Sequence, residues 1–129
     1  MPQIKIYGIK EHLNPIKVQL SDVIHSCIVD ALAFPVGKRS QRFFPMDAED
    51  FYFPSTATPR HTVIEISMFE GRSVETKKQL IRLIFERTQK ELNIAHSDIE
   101  ITITETPRHN WGFRGQPGDE IGLNYTVEV

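Results

Sequence analysis

Residues 2–8 read Pro2-Gln3-Ile4-Lys5-Ile6-Tyr7-Gly8, and the first of them is at odds with the rest. Ile4 and Ile6 alternate with Gln3, Lys5 and Tyr7, the period of a strand with one buried face. Proline has no N–H to give a sheet and is tolerated only at the start or edge of a strand. Pro2 therefore opens the strand without joining its ladder. With the initiator methionine removed, the usual outcome when a small residue follows it, Pro2 becomes a free secondary amine.

Outward from this strand, Asn14-Pro15 offers a cap and a proline at the first helical position. Ile16, Leu20, Val23, Ile24, Cys27, Ile28 and Ala31 follow at helical spacing, which predicts a helix over about 14–33. Pro35 and Gly37 end it, Gln41–Phe44 forms a second strand, and the loop over 46–59 carries three aromatics. Residues 62–69 alternate Ile64, Ile66 and Met68 against Glu65 and Ser67, a third strand. From Ser73 a second helix places Leu80, Ile81, Ile84, Phe85, Thr88 and Leu92 on one face. Ile99, Ile101 and Ile103 mark a fourth strand over 98–106, and Leu123-Asn-Tyr-Thr-Val-Glu-Val129 reads as an edge strand.

An offset of about 60 residues lays Ile64 and Ile66 on Ile4 and Ile6, Ile84 on Ile24, and Ile94 near Phe34. The chain thus reads as one domain, 1–129, in which a βαβ unit of roughly 45 residues occurs twice, at about 2–46 and 62–106. The expected fold class is α+β: a four-stranded sheet with both helices on one face. A ferredoxin-like layout uses the same elements, and periodicity alone does not choose between the two.

Composition narrows the function classes. At 129 residues, 40% hydrophobic and 25% charged, the chain has the make-up of a soluble domain, with no long apolar run and no leader. Neither export nor a membrane span is expected. A single cysteine, Cys27, leaves no internal disulfide and suits a cytoplasmic location. A net charge of -2 argues against duplex nucleic acid as a partner. The histidines at 12, 25, 61, 96 and 109 show no i, i+4 pair, so neither a metal nor a cofactor is expected. No GxSxG, P-loop or dinucleotide fingerprint occurs.

A proline at position 2 leading straight into a strand, followed by two consecutive βαβ units, resembles the tautomerase superfamily. This is the group of 4-oxalocrotonate tautomerase and macrophage migration inhibitory factor. PQIKIYG at 2–8, FPVGKRSQRFF at 34–44, ISMFEGRSVETKKQL at 66–80 and NWGFRG at 110–115 look most like its malonate semialdehyde decarboxylase branch. The resemblance implies a homotrimer with sites at subunit boundaries and the terminal proline as the reactive group. In the decarboxylase pattern a carboxylate follows the first helix and two arginines spaced by one residue follow the third strand. Here Lys38 stands at the carboxylate position, Glu70 at the first arginine and Arg72 at the second.

On that frame Pro2 is the candidate catalytic residue. An α-amine titrates at about 8, and a dry pocket or nearby cations lower that value; a neutral amine can move a proton in keto-enol tautomerisation of a small 2-oxo acid. Arg72 lies in the corner Glu70-Gly71-Arg72-Ser73, where a helix start and a planar guanidinium together suit a carboxylate. Lys38, Arg39 and Arg42 form a basic group that adds to an anion site or guards a sheet edge. Trp111, Phe113 and Arg114, in a glycine-rich run, suit either a water-excluding wall or subunit packing. Two further readings stay open: hydration or decarboxylation of a 3-carbon acid semialdehyde, and a non-catalytic trimeric binding protein of the same fold.

Overall fold

The computed structural model describes residues 2–129; the expected removal of Met1 lies outside them. Strand β1 (Gln3–Ile9) leads into a single turn, α1 (Lys10–Leu13), then helix α2 (Lys17–Leu32) and strand β2 (Gln41–Met46). The second half runs β3 (Thr62–Phe69), α3 (Val74–Leu92) and β4 (Ile99–Thr106), with a small ribbon of β5 (Gly112–Phe113) and β6 (Gln116–Pro117) after it.

The main sheet has the order β2-β1-β3-β4. β1 is parallel to β2 and antiparallel to β3, which is parallel to β4. Each helix thus crosses between two adjacent parallel strands. A ferredoxin-like sheet splits each βαβ unit by another strand, so the observed pairing excludes that layout. Pro45 sits on the edge strand β2, where a missing N–H costs least.

The two halves bury the same positions. From Gln3 to Ile9 burial alternates in the same order as from Val63 to Phe69. Leu20 and Leu80, Ile24 and Ile84, Ile28 and Thr88, and Phe34 and Ile94 are matched buried pairs. Thr88, the one polar member, donates its hydroxyl to the carbonyl of Ile84 at 2.7 Å. Ile4, Ile6, Ile64, Ile66 and Met68 face these helices in one core cluster, while Lys5, Arg42, Glu65, Glu100 and Thr102 are exposed on the other face. Arg87 joins the helices, reaching Asp30 at 2.7 Å and Ser26 at 3.0 Å.

Two sequence expectations change. The first long helix begins at Lys17 rather than at Asn14, because residues 10–13 form their own turn and Asn14 closes it by donating its N–H to the carbonyl of Lys10. The stretch 123–129 is not a strand. It packs Val127 into the interior and bonds the N–H of Ser73 to the carbonyl of Val129 at 3.0 Å, so it lies over the β3–α3 corner instead of extending the sheet.

Candidate active site at the Pro2 end of the sheet

The strand directions bring the starts of β1 and β2 and the ends of β3 and β4 to one end of the sheet. Pro2 is buried there, at the head of a central strand. The N–H of Ile4 donates to the carbonyl of Ser40 at 3.0 Å, and Gln3 lies opposite Ser67. On β4, Glu105 is in register with Met68. Pro2 precedes a central strand and Glu105 is the penultimate residue of an edge strand two places away, roughly 10 Å across the sheet.

β3 continues past Phe69 for one more bond, the N–H of Glu70 donating to the carbonyl of Thr106 at 3.0 Å. Gly71 then turns the chain with φ 131°, a left-handed value that a side chain rarely adopts. A Cβ there would also press the Val127 methyl at 3.1 Å. Ser73 caps α3, its Oγ accepting from the N–H of Thr76 at 3.1 Å. Between turn and cap stands Arg72, only 4% exposed. Its Nε, Nη1 and Nη2 are all buried without a hydrogen-bond partner. Burial pulls the guanidinium below its ordinary pKa, opposed by Tyr125, Glu105 and Glu128.

Two of those neighbours are themselves incompletely bonded. Glu105 receives Lys77 on Oε1 at 2.7 Å, and its Oε2 is buried without a partner. The Tyr125 hydroxyl is also buried and unbonded. Burial raises the pKa of Tyr125, opposed by Arg72, Arg108 and Arg114. Its ring meets Phe34 edge-on at 4.7 Å, and Lys38 Nζ lies 5.3 Å from the ring centre.

The aromatic run gathers on Phe69, the last residue of β3. Trp111 meets it edge-on at 5.1 Å and donates its indole N–H to Thr106 Oγ1 at 2.7 Å, while Phe113 stacks on it at 6.0 Å. Arg114 is exposed over the Phe113 ring at 5.4 Å. Arg108 lies 5.6 Å from the Phe69 ring centre and bonds the carbonyls of Gly118 and Ile121, pinning the start of the C-terminal segment. The backbones of Arg108 and Gly118 also pass close together, since a Cβ on Gly118 would lie 2.5 Å from the Arg108 carbonyl oxygen.

The basic group before β2 divides. Lys38 donates to Asn124 Oδ1 at 2.8 Å, tying its loop to the C-terminal segment beside Tyr125. Arg39 turns instead to helix α2, bonding Asp22 at 2.7 Å and Ser21 at 3.1 Å. Arg42 is exposed on β2. Pro2, Arg72 and Lys38 thus share one end of the molecule with Trp111 and Phe113, while the Arg39 guanidinium is engaged on the helix surface.

Sequence reasoning passed over Glu105 and Tyr125. A signal for Glu105 existed: it continues the alternation of Ile99, Ile101 and Ile103, putting a carboxylate in phase with apolar residues. Tyr125 was masked by its assignment to an edge strand. Among the described residues, Asp47, Glu49 and Asp50 bring carboxylate oxygens within 4.8 Å of one another, a grouping able to hold a metal, exposed at the opposite end of the sheet.

Two consecutive βαβ units on one four-stranded sheet, with a buried Pro2 and an unpaired Arg72 guanidinium at the same end, describe the tautomerase class of small α+β enzymes. The tautomerase enzyme family matches residues 38–114, more than half of the chain, and the protein belongs to that family. It is 33% identical over 60 residues to the 2-hydroxymuconate tautomerase of Stutzerimonas stutzeri, a match covering 46% of this chain and 95% of that protein. The crystal structure of a malonate semialdehyde decarboxylase inhibited by 3-bromopropiolate superposes with a TM-score of 0.78 at 27% identity, covering 86% of this chain and 88% of the other. A fused 4-OT wild-type asymmetric trimer superposes with a TM-score of 0.81 at 23% identity, covering 94% and 99%. Among the described residues no helix is long and apolar enough to cross a membrane.

Proposed function

We propose that the protein is a cytoplasmic, homotrimeric tautomerase in which Pro2, freed of Met1, acts as general base on a small 2-oxo acid whose carboxylate is held by Arg72. The observation that carries this reading is the Arg72 guanidinium, buried without a single hydrogen bond at the sheet end where Pro2 lies buried. An unpaired buried cation is costly to the fold, and an anionic ligand relieves that cost. Arginine's fork suits a carboxylate bidentately.

In ketonisation the Pro2 nitrogen takes the proton of the enol hydroxyl and returns it to C3. The carbon–carbon double bond becomes a carbon–oxygen one, and the amine is regenerated. Phe69, Trp111 and Phe113 supply an apolar wall at the same end, which favours the neutral amine. Hydration or decarboxylation of a 3-carbon acid has the support of the structural neighbour inhibited by 3-bromopropiolate. Lys38 and Glu70, at positions where that pattern has a carboxylate and an arginine, weigh against it.

Intact-mass measurement should give a chain beginning at Pro2. Pro2→Ala should lower kcat for ketonisation of enol-phenylpyruvate by about 10²-fold or more. A retained methionine, or a Pro2→Ala rate equal to the parent's, sinks the reading. A Pro2 nitrogen that titrates above an ordinary α-amine shifts it to the hydratase alternative.

A further inference from the structure

We propose that Tyr125 is the second ligand-binding side chain of this site: its phenol donates a hydrogen bond to the 2-oxygen of the oxo acid whose carboxylate Arg72 holds. The inference rests on the reading above and names the group that tells an oxo acid from a plain acid.

Two facts carry it. The Tyr125 hydroxyl is buried with no hydrogen-bond partner, and so is every guanidinium nitrogen of Arg72. A buried donor left unmade costs about 1–3 kcal/mol, so a pair of them in one corner fits a ligand that accepts at two points. Arg72 alone satisfies a carboxylate. A donor left over beside it suits an oxygen on the next carbon, which is where a 2-oxo acid carries one.

The ring is also held in place. Phe34 packs against it edge-on at 4.7 Å, Lys38 lies over its face, and Lys38 Nζ is anchored to the adjacent Asn124 at 2.8 Å. Farther along, the Ser73 N–H bonds the carbonyl of Val129. Burial keeps the phenol protonated, and hence a donor, through the neutral range. As Pro2 takes the hydroxyl proton, negative charge grows on the 2-oxygen, and a fixed donor there lowers the barrier. Tyr125 keeps its own proton throughout; the migrating proton travels from the hydroxyl to Pro2 and on to C3.

The probes are phenylpyruvate and 3-phenylpropanoate, which share ring and carboxylate and differ in the 2-oxygen. Calorimetry on the parent should give a preference for phenylpyruvate of about tenfold or more. Tyr125→Phe should abolish that preference, leave the affinity for 3-phenylpropanoate within twofold, and lower kcat by about 10²-fold. Pro2→Ala should lose turnover yet keep the preference, so failure of the proline reading and failure of the Tyr125 assignment give different patterns. If Tyr125→Phe does not fold, Tyr125→Met serves for the same comparison. A parent without preference, a variant that retains it, or one in which both ligands weaken in parallel overturns the assignment.

Discussion

The two ends of the sheet treat their buried polar groups differently. Where β1 and β2 finish and β3 and β4 begin, Asp98 is buried but accepts both the N–H and the hydroxyl of Thr58 at 2.7 Å each. Arg60 closes the last turn of α3 by donating to the carbonyls of Leu92 and Asn93, and Lys10 meets Asp47 at 2.7 Å. Among the described residues, His61 Nδ1 is the one buried side-chain polar atom there without a partner, near Phe51 and Phe53. At the Pro2 end, by contrast, Arg72, Glu105 Oε2, Tyr125 Oη and Gln41 Oε1 are all buried and unbonded. Folding satisfies polar groups that serve the fold alone. Those left open at one end await something a single chain does not supply, a ligand or a neighbouring subunit.

The sharpest way to break this contrast is to remove the unpaired charge. Arg72→Met keeps the volume and discards the cation, so kcat/KM on a 2-oxo acid should fall by about 10³-fold, the loss of a charged bidentate contact. Urea denaturation should meanwhile show stability unchanged or raised by about 1–2 kcal/mol, because an uncompensated buried charge is gone. A loss of stability would mean that the guanidinium is paired after all and that the two ends are alike.

Asp98→Ala is the mirror experiment. It strands two Thr58 donors and should cost about 2–3 kcal/mol in denaturant unfolding, with kcat within twofold of the parent. A large drop in kcat would show that the opposite end is not merely structural.

The smallest effect belongs to the core that both ends share. Burial pushes the Cys27 thiol up from 9.0 to about 11. Its folded value lies above its unfolded one, so its contribution to stability is complete below pH 9 and is lost as pH rises to about 11. That contribution is on the order of 2 kcal/mol. Cys27→Ala should flatten the fall in unfolding free energy across that window. An unchanged slope would assign it to other groups, such as Tyr125, whose raised pKa makes it act in the same direction at higher pH.

Much of the fold was legible because it depends on near neighbours in the chain. Ile4 with Ile6 and Ile64 with Ile66 announce strands by alternation, and Ser73 announces a helix start through its reach to Thr76. The start of α2 was misplaced because Asn14-Pro15 carries a start signal that α1 uses as its end. The segment 123–129 was misread because Val127 alternates like a strand residue, whereas its burial comes from contact with Gly71, far away in sequence. The site was half legible in the same way. Pro2, Arg72 and Trp111 are conspicuous residue types, while Arg39 was equally conspicuous and turned toward Asp22.

The sequence by itself determined the repeated βαβ pattern, the proline at position 2 and the arginine at the third strand's exit. These follow from residue type and spacing along the chain. Only the tertiary structure decided that the Arg72 guanidinium, Glu105 Oε2 and the Tyr125 hydroxyl are buried without partners, and that Asp98 and Arg39 are bonded. A hydrogen bond, or the lack of one, is a relation between groups that the chain order keeps apart and the sheet's strand directions bring to the same end.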